Sequence, residues 1–107
     1  MRNCVVHRVF VFAQARNDQA SLSYRNLAQA ALFDIEDILR QDPACVVYDD
    51  PDPEGVARFF SSGEEIILYG AYLGACLTLA YRALVKKGCI PQYHPTGSLP
   101  FESNVSL

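Results

Sequence analysis

Apolar residues along this chain follow two spacings, one typical of strands and one typical of helices. Short runs rich in Val, Ile, Phe or Tyr predict four strands, over residues 5–12, 44–48, 66–69 and 89–93. Apolar residues at intervals of three and four predict amphipathic helices over residues 22–40 and 76–87. A shorter helix is predicted from Pro53 to Phe60, with Asp52 as its cap.

Because strands and helices alternate, the pattern predicts an α/β fold. The expected architecture is a small three-layer sandwich of about four mostly parallel strands, with helices on both faces. Pro91 lacks an amide hydrogen, so the fourth strand is expected at an edge of the sheet. Residues 1–94 are predicted to form a single domain, and residues 95–107 an extended C-terminal tail.

Composition and charge exclude some classes of partner. The chain has 107 residues, a formal charge of -3 and a pI near 5.2. Nucleic-acid binding needs a basic surface, so this acidic chain is not expected to bind DNA or RNA. Arg8 interrupts the apolar N-terminal stretch and no small-residue cleavage site follows, so no signal peptide is predicted and a cytoplasmic location is expected. The four cysteines show no CxxC pair or zinc-type spacing, and neither a metal nor a cofactor is predicted.

Polar and reactive residues follow each predicted strand. In parallel folds of this kind ligands bind beyond the carboxyl ends of the strands, so these residues are expected to share one rim. The four groups, strand by strand, are Gln14, Arg16, Asn17 and Asp18; Asp49, Asp50 and Asp52; Tyr72, Gly74 and Cys76; and His94.

Cys76 is the candidate nucleophile of this rim. At a helix start, the helix dipole and unpaired backbone N–H groups favour the thiolate, and the same N–H groups can hold an anion or a carbonyl oxygen. Apolar neighbours favour the alternative, an inert core thiol. The candidate catalytic residues are Cys76, Asp49 and His94, and the candidate ligand-binding residues are Gln14, Asp50, Tyr72, Gly74 and Ala75.

The acidic residues and the histidine also have simpler interpretations. Asp49, Asp50 and Asp52 suit a Mg²⁺ site if they converge, but capping and turn formation are the preferred explanation. His94 is either a general base for Cys76 or a surface histidine at the end of a strand.

The segment LYGAYLGACLTLAYRALVKKG resembles the part of isochorismatase-like cysteine hydrolases that carries the nucleophile. In that family a strand ends in glycine, the cysteine follows six positions later, and the next helix runs to a glycine twelve positions further on. Gly70, Cys76 and Gly88 keep these intervals. The likeness covers residues 44–93 and implies an α/β fold with Cys76 as nucleophile.

Other features of that family are missing. Its members place an aspartate at the end of the first strand, where this chain has Phe12-Ala13-Gln14, and a lysine after a later strand, where Tyr48-Asp49-Asp50 offers none. The resemblance therefore carries over Cys76 alone. Gly70, Tyr72 and Gly74 are also similar to the G-x-S-x-G nucleophile elbow, with tyrosine at the nucleophile position. Both likenesses imply a strand, a tight turn and a helix.

A membrane helix is the main structural alternative for this region. Ile66 to Val85 has the length of a membrane span and contains only one charged residue, Arg82. The surrounding strand patterns favour the sheet instead, and no membrane partner is predicted.

Two functional classes remain open. The first is a binding or oligomeric interaction module, related to the isochorismatase-like hydrolases but without their full catalytic set. The second is an active cysteine hydrolase that uses Cys76 on a small amide or ester. A homodimer is expected, since a small sheet gains from burying an edge or a face in a second copy, and a small anionic or carbonyl ligand is the expected partner of the helix start.

Overall fold

The fold is an α/β sandwich, as predicted. A computed structural model describes residues 1–105. The strands are β1 (Arg2–Val6), β2 (Val46–Tyr48), β3 (Glu65–Leu73) and β4 (Ile90–Pro100). The helices are α1 (Arg8–Ala15), α2 (Leu22–Gln41) and α3 (Cys76–Lys87), with 3₁₀ helices at Pro53–Phe59 and Glu102–Asn104. The strands of the described residues form a parallel sheet in the order β2-β1-β3-β4.

Two apolar cores lie on opposite faces of this sheet. In β1, Cys4 and Val6 point to the face covered by α3 and the first 3₁₀ helix, whereas Val5 points to the face covered by α1 and α2. In β3, Leu68 and Tyr69 divide between the two faces in the same way. The alternation confirms the three predicted layers, with helices on both sides of the sheet.

The first strand is shorter than its apolar pattern predicted, and the prediction was wrong for residues 7–12. β1 ends at Val6, His7 takes a left-handed backbone conformation with φ 53°, and α1 begins at Arg8. Valine and phenylalanine favour strands, but this preference yields to packing. Val11 and Ala15 lie one helical turn apart in α1, and both are buried in the core shared with α2.

The other helices begin and end as their sequences predict. The Ser21 side chain accepts a hydrogen bond from the Tyr24 amide at the start of α2, and Asp52 caps the first 3₁₀ helix in the same way. Gly88 ends α3 in a left-handed conformation with φ 96°.

The last two strands run further than predicted. Ser98 pairs with Gly70 and Leu99 with Ala71 after a register shift, and the Ser98 hydroxyl donates to the Leu68 carbonyl at 3.0 Å. Residues 95–100, which the sequence pattern left in the tail, therefore continue β4; residues 106 and 107 lie outside the described part of the chain. β4 is an edge strand, as Pro91 predicted.

The segment that suited a membrane span is divided between two elements. Residues 66–73 belong to β3 and residues 76–85 to α3, joined by a turn at Gly74. Within residues 1–105, no helix combines the length and the apolar character that crossing a bilayer requires.

Gly70 allows the two central strands to approach each other. Its φ is 130°, and a Cβ atom placed on it would lie 1.8 Å from the Val6 carbonyl oxygen. That oxygen belongs to the backbone of β1 and cannot move aside without displacing the strand. Only glycine fits this position.

Replacing Gly70 with alanine is expected to lower the free energy of unfolding by about 3 kcal/mol or more, since backbone strain and a backbone clash add. Gly63→Ala is the matched control, because Gly63 also has a positive φ, 89°, but open space around it. It is expected to cost about 1 kcal/mol. Urea unfolding of both variants measures the difference, and equal losses would refute the proposed clash.

Candidate functional site

The carboxyl ends of β1 and β3 lie side by side in the middle of the sheet. The chain leaves β1 toward β2 at one edge and leaves β3 toward β4 at the other, so the two connections diverge at this point. Ligands of open parallel sheets bind where connections diverge in this way. A ligand site is therefore expected among the residues that follow β1 and β3.

His7 follows β1 directly, and the sequence patterns did not single it out. Its side chain is 3% exposed, and its Nε2 atom is hydrogen-bonded to the backbone carbonyl of Asp50. A carbonyl only accepts hydrogen bonds, so Nε2 carries a proton and donates it to this bond. Nδ1 is buried and has no hydrogen-bond partner within residues 1–105.

An aromatic stack occupies the space next to His7. Tyr72, near the end of β3, lies between the rings of Phe10 and Phe101, with ring centroids 5.6 Å and 4.5 Å away. The Tyr72 hydroxyl accepts a hydrogen bond of 2.9 Å from Gln14 Nε2. The structure thus brings the predicted ligand residues Gln14 and Tyr72 together, although Gln14 lies in α1 rather than in a loop after a strand. The remaining polar atom of the Gln14 side chain, Oε1, accepts a hydrogen bond of 3.1 Å from Asn17 Nδ2, so both ends of this side chain are engaged within the protein.

Cys76 is the first residue of α3, as predicted, and follows a tight turn. Gly74 has φ 87°, and its amide donates to the Thr78 hydroxyl at 2.8 Å. Cys76 is half-buried, in contrast to Cys4 and Cys89, which are buried in the core. Its position and partial exposure are those of a surface thiol at a helix start.

The backbone around Cys76 is less suited to an anion than expected. The Ala75 amide, a predicted donor to a bound oxyanion, donates instead to the Tyr72 carbonyl at 3.0 Å. The Gly74 amide is also occupied, by Thr78. Ala75 and Gly74 therefore shape the turn, and their two amides are engaged within the protein.

The predicted proton-transfer partners of Cys76 make other contacts. Asp49 lies 3.7 Å from the Arg8 guanidinium, and Asp50 lies 3.2 Å from that of Arg58. Both carboxylates are exposed, and Asp52 is a helix cap. No group of three or more potential metal ligands occurs within residues 1–105.

His94 lies on the face of the sheet opposite α3. Its ring stacks on Tyr69 with centroids 4.5 Å apart, and Nδ1 accepts a hydrogen bond of 2.9 Å from the Gly97 amide. Tyr69 belongs to the core beneath α1 and α2, whereas Leu77, the neighbour of Cys76, belongs to the core beneath α3. The contacts of His94 are thus made to β4, β3 and α2.

A cleft of about 370 Å³ opens between α1 and α2, beside the end of β2. Its walls are mainly apolar, and charged side chains lie among them. The lining residues are Arg8, Val9, Phe12, Leu32, Ile35, Glu36, Leu39 and Asp49. We call this space the α1–α2 cleft. Of the predicted site residues, only Asp49 lines it.

The sequence pattern predicted one wall of this cleft, the apolar face of α2. Leu32, Ile35 and Leu39 recur at intervals of three and four in the predicted helix over residues 22–40. Their partners Val9 and Phe12 were assigned to a strand, so the opposing helical wall was missed.

Comparisons with known proteins identify no relative. No family model, curated protein or solved structure matches this chain.

In the folded protein, iodoacetamide is expected to modify Cys76 well before Cys4 or Cys89. Burial raises the pKa of the Cys4 thiol to about 12 and also raises the pKa of Cys89, so both remain protonated and shielded at mildly alkaline pH. Mass spectrometry after brief labelling locates the modified residue. The same reaction in urea is the control, in which the protection of Cys4 and Cys89 is lost. Labelling of Cys4 ahead of Cys76 would contradict the burial.

Proposed function

We propose that this protein is a small α/β binding module that holds its ligand in the α1–α2 cleft rather than at Cys76. The observation that carries this proposal is the cleft itself. Its volume of about 370 Å³ falls in the range of small-molecule sites, which are mainly apolar with a few polar groups. Arg8 begins α1 two positions after the end of β1, and Asp49 directly follows β2, so the cleft lies at the carboxyl side of the sheet, where ligands of this architecture bind.

The contacts around Cys76 support a module without catalysis. A nucleophilic cysteine needs a nearby base and donors for the developing oxyanion. Asp49 and Asp50 pair with arginines, His94 packs on the opposite face, and the Ala75 amide is used in the turn. The use of these groups elsewhere supports a binding role for the protein over acyl transfer at Cys76.

A distant relationship to the isochorismatase-like hydrolases is part of the proposal. It is supported by the helix of the segment: α3 begins at Cys76 and Gly88 ends it, as the resemblance implies. The strand differs, because β3 does not end at Gly70 but continues to Leu73, and the turn lies at Gly74. The expected aspartate and lysine are absent from the sequence, which agrees with a relative that kept the fold and lost the reaction.

An active cysteine hydrolase is the second candidate. Two observations favour it: Cys76 begins a helix, and its side chain is only half-buried. In the alkylation experiment above, this candidate requires Cys76 to react faster in the folded protein than in urea. The binding-module proposal expects no such acceleration.

Ligand binding at the cleft is tested with 1-naphthalenemethanol, a neutral two-ring probe, followed by backbone amide NMR shifts. We expect shifts concentrated in α1 and α2. Val9→Trp should weaken binding by about tenfold or more, because it fills the mouth of the cleft, and Val9 is 55% exposed, so the fold tolerates the change.

Two control variants accompany this experiment. Val85→Trp changes a similarly exposed valine, 50% exposed, on α3 across the sheet, and it should bind as the wild type does. Cys76→Ala should also retain binding. Shifts centred on Cys76, or the absence of any shift in α1 and α2, would refute the proposed site.

A homodimer is part of the proposed function, and one edge of the sheet supports it. β2 has only β1 as a neighbour, so its other edge is unpaired within residues 1–105, and the outward Val47 is 40% exposed. Unpaired edges are sites of strand addition. A cytoplasmic location remains part of the proposal.

Sedimentation equilibrium is expected to show a dimer whose dissociation constant rises at least about tenfold in Val47→Lys, because a charge at a strand edge opposes pairing. Ile90→Lys is the control; Ile90 is 59% exposed and lies in β4, at the other edge. A wild-type monomer at all concentrations would refute the dimer and leave the cleft proposal unaffected.

A further inference from the structure

The α1–α2 cleft carries unequal charge at its rim. Three charged residues line it: Arg8, Asp49 and Glu36. Arg8 Nε lies 3.7 Å from Asp49 Oδ2, so these two charges offset each other. Glu36 is exposed and has no ion-pair partner within residues 1–105. One negative charge is therefore left over beside an apolar cavity.

Neighbouring charges do not cancel that of Glu36. Arg40, one turn further along α2, pairs instead with Asp37 at 3.4 Å. Arg16 lies over the ring of Phe12, with its guanidinium carbon 4.2 Å from the centroid. Both arginines are thus held by other groups, and the formal charge of the whole chain, -3, adds to the local preference for a cation.

The size and walls of the cleft limit what fits. A volume of about 370 Å³ lies near the lower end of the range of small-molecule sites, about 300–1,000 Å³. Five of the lining residues are apolar: Val9, Phe12, Leu32, Ile35 and Leu39. A compact apolar group such as a two-ring aromatic matches this space, and a strongly polar ligand would lose its hydration there without replacement hydrogen bonds.

We propose that the cleft binds small amphipathic cations, molecules with a compact apolar body and a single positive charge that pairs with Glu36. This inference rests on the proposed function and specifies its ligand class. An anionic ligand would meet Arg8 only in competition with Asp49 and would lie near Glu36 as well. Charge complementarity thus favours amines over carboxylates of the same shape.

Three probes that share one ring system separate charge from shape. These are 1-naphthylmethylamine, 1-naphthalenemethanol and 1-naphthoic acid, which are cationic, neutral and anionic at neutral pH. Each is titrated into the full chain at low salt, with amide NMR shifts to locate binding and to obtain the dissociation constant. We expect the amine to bind at the cleft about fivefold more tightly than the alcohol, as an exposed ion pair allows, and the acid to bind most weakly.

Two charge-neutralising variants identify the group responsible. Glu36→Gln is expected to make the amine and the alcohol bind alike. Glu54→Gln is the matched control, because Glu54 is also exposed but lies in the first 3₁₀ helix, beneath the opposite face of the sheet. It changes the net charge equally and should leave the fivefold preference intact.

The outcomes distinguish this inference from the proposed function. If all three probes bind the cleft equally well, or the acid binds best, the cation preference is refuted while the binding site stands. An amine preference that survives in Glu36→Gln, or is lost equally in Glu54→Gln, also refutes the role of Glu36. If no probe shifts the amides of α1 and α2, both the ligand class and the proposed function fail.

Discussion

The pairing of β1 with β3 is the interaction on which the rest of this structure depends. Its register runs from Arg2 opposite Ile66 to Val6 opposite Gly70, and it ends where the Val6 carbonyl lies against the glycine. Since side chains alternate along a strand, this register sends Cys4 and Val6 into one core and Val5 into the other. Each fully buried aliphatic side chain contributes about 1.5–3 kcal/mol, so a slip by one residue would lose both cores together.

The same pairing determines where a ligand has room. The divergence of the chain at the ends of β1 and β3 is the usual position of a site in parallel sheets, but here aromatic side chains fill it. Tyr72 lies between Phe10 and Phe101, and its hydroxyl is used by Gln14. The α1–α2 cleft lies instead toward the β2 edge of the sheet, where α1 and α2 separate beside the end of β2. The proposed binding site is therefore displaced from the position that topology alone would indicate.

Capping and helical periodicity account for the elements that were predicted well. Ser21, Asp52 and Gly88 act on amides and carbonyls within a few residues of themselves, so their effects are legible in the sequence. The start of α3 at Cys76 has no side-chain cap and was predicted from the helical spacing of the apolar residues that follow it. The contacts of the candidate site residues could not be predicted in this way. Asp49 pairs with Arg8 and His94 stacks on Tyr69, contacts that position at a strand end does not indicate.

The sequence by itself determined the class of fold, the extent of α2 and α3, and the edge position of Pro91. It also determined that strands and helices alternate, which makes the strands parallel. These depend on periodicity, backbone geometry and caps, which are local properties. Only the tertiary structure decided that β1 stops at Val6, that β4 continues to Pro100, and that α1 and α2 enclose a cleft. Those outcomes depend on contacts between residues far apart in the chain, such as Gly70 with Ser98 and Tyr24 with Pro100. Packing of this kind outweighs the strand preference of residues 9–12, because burying Val11 and Ala15 against α2 stabilises a helix that local propensity disfavours.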